Sequence, residues 1–206
     1  TNLKYAKFAP GALVGTTYTT QRTYDSLDRV VNLTYPDGEV VTHTYNAQGL
    51  LDKLRSTTYL VDYVINLNYN ALGRVTSKTS GNSKLTGYDY YDTSTEIDPG
   101  TGKAFSFRLK NINTALLQDL TYTFDNVGNV SSITDTVKPG TQSFGYDNLH
   151  RLTSASSVAT PAYTHSYVYS TIGNMNPGAG KTFTYPAAGT ARPHAPTSDV
   201  TSTYSY

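Results

Sequence analysis

One segment of this chain of 206 residues has the residue types of a phosphate-binding loop. Gly178-Ala179-Gly180-Lys181-Thr182 resembles the end of such a loop, but the motif needs another glycine at the position of Met175. Bound phosphate also needs the N-terminus of a helix, whereas the sequence from Thr182 to Tyr185 has the pattern of a strand. We therefore predict two loops around this strand within residues 176–200, and no nucleotide cofactor.

The histidines and the acidic cluster do not have the spacing of a catalytic or metal site. The four histidines stand at positions 43, 150, 165 and 194, unlike the ligands of zinc or a catalytic triad. Calcium prefers oxygen-rich loops and paired carboxylates hydrolyse glycosides, but the acidic cluster matches no EF-hand or nonapeptide repeat. Its members are Asp89, Asp92, Glu96 and Asp98, followed by Pro99-Gly100-Thr101-Gly102. We expect a solvated loop, and no catalytic, cofactor-binding or metal-binding residue.

A short pattern returns six times along the chain. Each copy reads aromatic, Asp or Asn, any residue, apolar, Gly, Arg or Asn, apolar, with occasional departures. The spacing is 21 to 24 residues, except for one interval of 55 in which Gly87 to Asp92 resembles a degenerate copy. A period of this length indicates repeated supersecondary units. The copies begin at Tyr24, Tyr45, Tyr69, Phe124, Tyr146 and Tyr169.

Each position of the pattern has a structural role. Asp or Asn accepts hydrogen bonds from backbone amides two residues on and opens a type I turn, and Gly can take the left-handed conformation that closes it. A role needed at every period is structural, since a catalytic site is needed once. His150 occupies the glycine position of its copy, where we expect it to be exposed. The residues assigned to these turns are Tyr24, Asp25, Tyr45, Asn46, Gly49, Tyr69, Asn70, Gly73, Phe124, Asp125, Gly128, Tyr146, Asp147, Tyr169 and Gly173.

Composition and alternation predict an all-β fold of stacked antiparallel hairpins. Threonine and tyrosine favour pleated sheet, and helix formers are too scattered for an amphipathic helix. Only Thr114 to Leu120 has the composition of a short helix, and it equally fits a loop leading into a strand. The clearest strand is Tyr63 to Tyr69, with Tyr63, Ile65, Leu67 and Tyr69 on one face. Further strands are predicted at Val30 to Tyr35, Glu39 to Tyr45 and Phe105 to Leu109, with a turn at Pro36-Asp37-Gly38.

Charge and hydropathy limit the kinds of partner that the chain can bind. Sixteen basic and fifteen acidic residues are dispersed and give a net charge of +1, which does not favour nucleic acid or an anionic membrane. The sequence lacks cysteine, an apolar run of about 18 residues and the layout of a signal peptide. The chain begins at Thr1 and stops at Tyr206, where the pattern would next require Asp. We interpret it as a piece of a longer repeat protein.

The Tyr-Asp-x-x-Gly-Arg-x unit resembles the YD repeat of the Rhs family, which includes bacterial Rhs toxins, the C component of Tc insecticidal toxins and the animal teneurins. The copies cover most of residues 18 to 206. In that family the repeats wind into a β-sheet shell that encloses a toxic C-terminal domain, so the resemblance implies a curved continuous sheet in a hollow wall. The family's self-cleaving segment and its toxin domain have no counterpart here, and neither activity is expected.

We therefore expect a lead-in segment at residues 1–17 and one repeat array at residues 18–206. The expected function is a structural, non-enzymatic wall segment of a secreted or cell-surface bacterial protein. Its expected partners are the rest of a long polypeptide and the effector that it encloses. The alternative is an extracellular adhesion or fibre-forming module that binds glycans through a tyrosine row or self-associates through strand edges. Tyrosines packed as a ladder favour the wall, and an exposed tyrosine row favours adhesion.

Overall fold

The computed structural model describes residues 3–5, 18–159, 161–177 and 182–205. The predicted fold class is confirmed, since these residues form antiparallel β-strands joined by turns. None of them belongs to a helix long and apolar enough to cross a bilayer. The phosphate-loop-like residues 178–181 and most of the lead-in lie outside the described residues, and the division into residues 1–17 and 18–206 stays a prediction.

The chain divides into two compact units, which we describe separately. The first unit comprises Thr1–Asp89 with Asn113–Ala115, and the second comprises Tyr90–Ile112 with Leu116–Tyr206. Within the first unit, each strand from β1 to β7 pairs antiparallel with the next one in the chain. Its strands are β1 Leu3–Tyr5, β2 Tyr18–Tyr24, β3 Val30–Thr34, β4 Val40–Tyr45, β5 Leu51–Ser56, β6 Val61–Tyr69, β7 Val75–Ser80 and β8 Leu85–Tyr90, the last of which ends one residue into the second unit.

The second unit continues the same construction. Strand β9, Leu109–Thr114, has its last two residues in the first unit. From β10 onward each strand again pairs antiparallel with its successor. These strands are β10 Gln118–Phe124, β11 Val130–Asp135, β12 Gly140–Tyr146, β13 Leu152–Ser157, β14 Tyr163–Tyr169 and β15 Met175–Pro177.

Two kinds of turn alternate along each unit. Within each unit, the turns with the repeat pattern lie at one edge of the sheet, because each consecutive antiparallel strand reverses the chain direction. Turns at the other edge differ in length and sequence. The predicted turn at Pro36-Asp37-Gly38 is one of them and is confirmed: the Gly38 amide donates to the Tyr35 carbonyl over 3.0 Å, and the Glu39 amide donates to Asp37 Oδ1 over 3.0 Å.

The two faces of each sheet differ in chemistry. In the second unit, one face carries a row of hydroxyl side chains across five neighbouring strands, and its members are Thr123, Ser132, Ser143, Ser156 and Thr164. On the opposite face apolar and aromatic residues pair, as in Tyr122 with Ile133 and Phe144 with Ala155. Only three hydrophobic side chains of the described residues are buried, and they are Val41, Tyr91 and Ala155. The sheet is therefore held chiefly by its ladders and by contacts between neighbouring hairpins.

The predicted strand from Phe105 to Leu109 is wrong, because β9 begins only at Leu109. Phe105 and Phe107 have φ values of 54° and 57°, in the left-handed region that a strand does not use. The Phe107 amide donates to the Tyr91 carbonyl over 3.0 Å, and the Tyr91 amide donates to the Arg108 carbonyl over 3.0 Å. Residues 107 and 108 therefore both pair with Tyr91. Two residues opposite one is the arrangement of a β-bulge, and it bends the chain.

Three other local predictions are corrected. Thr182 to Tyr185 is not a strand, since Thr184 forms only a single bridge with Ser198. The helical alternative for Thr114 to Leu120 is wrong, because a turn at residues 115–117 leads into β10. The strand predicted over Tyr63 to Tyr69 is present within β6, but the register with β7 shifts between Val64 and Asn66, where Ile65 is an extra residue that interrupts the alternation.

Candidate functional site

Every copy of the repeat forms a hydrogen-bonded turn organised by its second residue. In the first copy the Asp28 amide donates to the Asp25 carbonyl over 3.1 Å, and the Asp25 amide donates to the Arg29 carbonyl over 3.0 Å. Asp25 Oδ1 accepts from the amides of Leu27 at 2.9 Å and Arg29 at 3.0 Å. These amides lie in the turn, where the strand ladder offers them no acceptor. The same side-chain bonds recur at Asn46, Asn70, Asp125 and Asp147.

The fifth residue of every copy has a left-handed backbone. Glycine holds this position in four copies, with φ values of 82° at Gly49, 73° at Gly73, 103° at Gly128 and 88° at Gly173. The other two copies place Asp28 at 57° and His150 at 60°. Aspartate and histidine are among the side chains that tolerate this region best. His150 is exposed, as its position in the turn requires.

The first residue of a copy joins that copy to the preceding one, and we call this contact the repeat junction. The tyrosine hydroxyl donates to the backbone carbonyl of the apolar residue that ends the preceding copy. The donor and acceptor pairs are Tyr45 to Val30 at 2.8 Å, Tyr69 to Leu51 at 2.5 Å, Tyr146 to Val130 at 2.9 Å and Tyr169 to Leu152 at 2.8 Å. The repeat tyrosines therefore act between hairpins as well as within their own turn.

Tyr185 makes the same junction with the sixth copy, because its hydroxyl donates to the Met175 carbonyl over 2.9 Å. The repeat pattern in the sequence does not include this residue. Its signal is a tyrosine following the last copy at a shorter interval and without the Asp or Asn that should come next. The residue that accepts the hydrogen bond is the final apolar residue of the copy, as at the other junctions.

Arginine at the sixth position completes the junction. The Arg29 guanidinium carbon lies 4.3 Å from the centroid of the Tyr45 ring, and the same distance separates Arg151 from the Tyr169 ring. Asp25 holds Arg29 through Nη2 at 2.7 Å and Nε at 2.8 Å. Asp147 holds Arg151 in the same way, with both distances 2.7 Å. An Asp–Arg–Tyr chain thus runs from one hairpin to the next, which the consensus alone did not indicate.

The aspartates of these junctions are stabilised in their charged form. The side-chain hydrogen bond from Arg29 holds the pKa of Asp25 below its ordinary value, helped by the backbone amides that bind it. Arg151 lowers the pKa of Asp147 for the same reasons. Both carboxylates are partly exposed, so water weakens the ion pairs and their energy is modest.

The fourth copy departs from the pattern and is completed from the long interval before it. Phe124 has no hydroxyl, and the Arg108 guanidinium carbon lies 5.4 Å from its ring centroid. Arg108 also donates through Nη1 to the Asp125 carbonyl at 2.8 Å and lies 3.4 Å from Asp98 Oδ2. Asp98 and Arg108 therefore stand in the places that aspartate and arginine take at the other junctions.

The turn at Asp98 reproduces the repeat turn with one extra residue. The Gly102 amide donates to the Asp98 carbonyl over 2.8 Å, and the Asp98 amide donates to the Lys103 carbonyl over 3.0 Å. A Cβ at Gly100 would lie 2.2 Å from the Phe124 carbonyl oxygen, so only glycine permits this close approach. The degenerate copy is thus centred on Asp98 rather than on Gly87 to Asp92.

The expectation of a solvated acidic loop is wrong for Asp98, which is fully buried. Its Oδ1 accepts from the Gly100 amide at 2.9 Å, and its ion pair with Arg108 compensates the buried charge. Glu96, another member of the cluster, pairs with Lys110 and accepts from Thr93 Oγ1 at 3.1 Å. Asp98 and Glu96 thus bind side chains and amides of the same loop or of β9, which gives these two acidic residues a structural role.

The histidines are not brought together. His43 has a buried Nδ1 with no hydrogen-bond partner in the structure, and His165 stacks on Tyr163 with 5.1 Å between ring centroids. His150 Nδ1 lies 3.2 Å from Asn129 Nδ2, and His194 Nδ1 lies 2.6 Å from Asn174 Oδ1. Within the ranges that the structure describes, no group of three or more histidine or acidic side chains is arranged to hold a metal ion.

These features define an all-β repeat protein whose hairpins are joined by tyrosine hydroxyls, by arginines stacked on aromatic rings and by turn aspartates. Residues 24–59 match the model of the family described as RHS Repeat, and they contain the first two copies and the junction between them. The predicted resemblance to the Rhs/YD-repeat family is thereby confirmed. No curated protein matches the sequence.

Solved structures of Tc toxin components have a similar fold. The crystal structure of TcdB2-TccC3 matches with 23% identity and a TM-score of 0.63, over 83% of this chain and 10% of that chain. The crystal structure of TcdB2-TccC3-Cdc42 matches with 23% identity and a TM-score of 0.62, over the same shares. A Tc holotoxin pore from Photorhabdus luminescens matches with 24% identity and a TM-score of 0.59, over 81% of this chain and 9% of that chain. The chain thus spans about a tenth of the length of these chains.

Proposed function

We propose that this chain is a structural, non-catalytic segment of an Rhs-type wall, in which stacked hairpins form a continuous curved sheet. The observation that carries the proposal is the repeat junction. At each complete junction, a hydroxyl bonds the neighbouring backbone and an arginine covers the same ring. Such a device orients one hairpin on the next, which is the requirement of a wall built from repeated units.

The composition of the sheet supports this role. Because few of its described hydrophobic side chains are buried, a hairpin gains little from a core of its own and depends on its neighbours. The similar chains are about eight times as long as this one. We propose that the partners of this segment are further repeats of a long secreted polypeptide and an effector that those repeats enclose.

The junction geometry favours the wall over glycan adhesion. A sugar stacks on an open aromatic face, but Arg29 and Arg151 cover the rings of Tyr45 and Tyr169. The hydroxyls of the same two tyrosines are bound to backbone carbonyls. These tyrosines form a ladder that links hairpins, and an arginine of the protein occupies one face of each ring.

Cryo-electron microscopy of the complete polypeptide encoded by the gene tests the proposal. We expect residues 18–205 to form part of a closed wall that surrounds additional polypeptide. As a biochemical readout, the enclosed polypeptide should resist protease in the wild type. An open array with water on both faces, or a fibre that continues its sheet from molecule to molecule, would contradict the wall.

A further inference from the structure

The repeat junction of Tyr24 has no partner within the described residues. Tyr24 opens the first copy, is 44% exposed and has a hydroxyl that forms no hydrogen bond there. The aromatic residues that open the five later copies are all less exposed, and the tyrosines among them donate to a carbonyl of the preceding copy. Tyr24 therefore presents the donor of a junction without its acceptor.

Strand register locates the missing acceptor. At three junctions the tyrosine binds the carbonyl that lies two residues before the first paired residue of the neighbouring strand. That first paired residue stands opposite the residue three positions before the tyrosine, and the pairs are Asn32 with Thr42, Ser132 with Ser143 and Ser154 with Ser166. In the pairing of β1 with β2, Leu3 lies opposite Thr20. The same count from this pair reaches the position immediately before Thr1.

The sequence that begins at Thr1 has the pattern that follows a completed copy. In four of the six copies, the third residue after the final apolar residue is itself apolar, and these residues are Leu33, Leu54, Ile133 and Ala155. Leu3 has the same offset from the position before Thr1. The segment Thr1-Asn2-Leu3 also resembles Val31-Asn32-Leu33, which begins directly after the first copy. Register and sequence thus give the same position for the end of a preceding copy.

We propose that the exposed surface of Tyr24 is the docking surface for a preceding repeat of the same polypeptide, whose final apolar residue lies immediately before Thr1. The Tyr24 hydroxyl donates to the carbonyl of that residue. Where the residue before it is arginine, the guanidinium lies against the Tyr24 ring, as Arg29 does at Tyr45. This partner continues an interface that the later copies already form. The inference rests on the proposed wall, because it names the partner through which the wall continues at the first copy.

The coding sequence upstream of Thr1 gives the first test. We expect the seven residues that end immediately before Thr1 to have the repeat pattern. Two positions decide the outcome, because they are constant in chemistry among the six copies. The fifth should be Gly, Asp, Asn or His, which tolerate the left-handed turn, and the seventh should be apolar. An upstream sequence that lacks either feature would overturn the proposal.

Nitration of tyrosine with tetranitromethane, followed by mass spectrometry, tests the contact without any substitution. In the chain of 206 residues, Tyr24 and Tyr35, which are 44% and 41% exposed, should be nitrated faster than Tyr45, whose ring lies against Arg29. In the complete polypeptide encoded by the gene, Tyr24 should react several times more slowly, whereas Tyr35 and Tyr45 should keep their rates.

Three outcomes of the nitration experiment would overturn the docking surface. The first is an unchanged rate at Tyr24 in the complete polypeptide, and the second is equal protection of Tyr24 and Tyr35. The third is protection of Tyr24 in the chain of 206 residues that grows with protein concentration, which would make the occupant a second copy.

Failure of this inference is distinguishable from failure of the wall. A closed wall in cryo-electron microscopy together with a reactive Tyr24 in the complete polypeptide would overturn the docking surface alone. A protected Tyr24 within an open array would contradict the wall and support the docking surface.

Discussion

Replacing Tyr169 with phenylalanine removes one hydroxyl from a repeat junction and keeps the ring under Arg151. The hydroxyl donates to the Leu152 carbonyl over 2.8 Å, and Arg151 lies 4.3 Å from the ring centroid. Phenylalanine is compatible with this position, because Phe124 opens the fourth copy. The change therefore isolates the bond between two hairpins from the packing of the ring.

The expected loss follows from the contacts at this junction. A hydrogen bond of this kind contributes a net stability of about 1 kcal/mol, which lowers the Tm of a chain of this size by about 2–4 °C. Leucine at position 169 also loses the contact with Arg151, a further ~0.5–1 kcal/mol at a partly exposed site. We therefore expect the free energy of unfolding to fall in the order wild type, Tyr169→Phe, Tyr169→Leu.

Urea unfolding followed by circular dichroism measures these differences. Tyr24→Phe is the matched control, because Tyr24 opens the first copy, is 44% exposed and has a hydroxyl that forms no hydrogen bond within the described part of the chain. The control should change the free energy of unfolding by less than about 0.5 kcal/mol. If Tyr169→Phe is as stable as the wild type, or if Tyr24→Phe loses as much, the junction does not hold the hairpins together.

Three further predictions concern the turns and the long interval. Gly173→Ala should destabilise the protein by about 1 kcal/mol, because φ is 88° there and alanine is strained in that region. His150→Gly should stabilise the protein, because φ is 60° there. A stabilising Gly173→Ala or a destabilising His150→Gly in urea unfolding would refute the reasoning. The pKa values of Asp25 and Asp147 are lowered in the fold, so the stability that they contribute is present above their unfolded pKa of about 4 and is lost as the pH falls through their folded pKa. The urea midpoint should therefore drop on acidification below about pH 4, and less steeply in Asp147→Asn, whereas an identical acid profile would contradict this. Arg108→Met leaves the buried carboxylate of Asp98 without its cation and should cost about 3–5 kcal/mol, with the double variant Arg108→Met, Asp98→Asn recovering part of the loss in thermal unfolding.

The turns were predictable because their chemistry is local. Asp25 bonds amides two and four residues away, and Gly73 needs only its own freedom of φ. A short stretch of sequence contains all the groups that take part. The recurrence of the turn aspartates and asparagines then indicated a structural role for them, since a turn is needed in every hairpin and a catalytic site is needed once.

The junctions were less accessible, because their partners are far apart in the sequence. Tyr45 reaches Val30 and Arg29 only when the register of the intervening strands is known. The consensus contained the arginine but did not indicate which ring it covers. Tyr185 was missed because its junction lacks the neighbouring residues that mark a repeat.

Contacts between distant residues were hardest to predict in the long interval between the third and fourth copies. Alternating aromatic residues predicted a strand at Phe105, but the bonds that bend the chain come from Tyr91, on another segment. Asp98 had the composition of a solvated loop, and its burial depends on Arg108 and on the approach of Gly100 to Phe124. Each outcome depends on contacts between segments that composition and periodicity do not describe.

The sequence by itself determined the all-β class, the hairpin period and the chemistry of each repeat turn, because these depend on residues within a few positions of one another. Tertiary structure decided which carbonyl each tyrosine binds, which ring each arginine covers and where the degenerate copy closes. The physical reason is that strand register brings distant residues to hydrogen-bonding distance, and register is set by the pairing of whole strands.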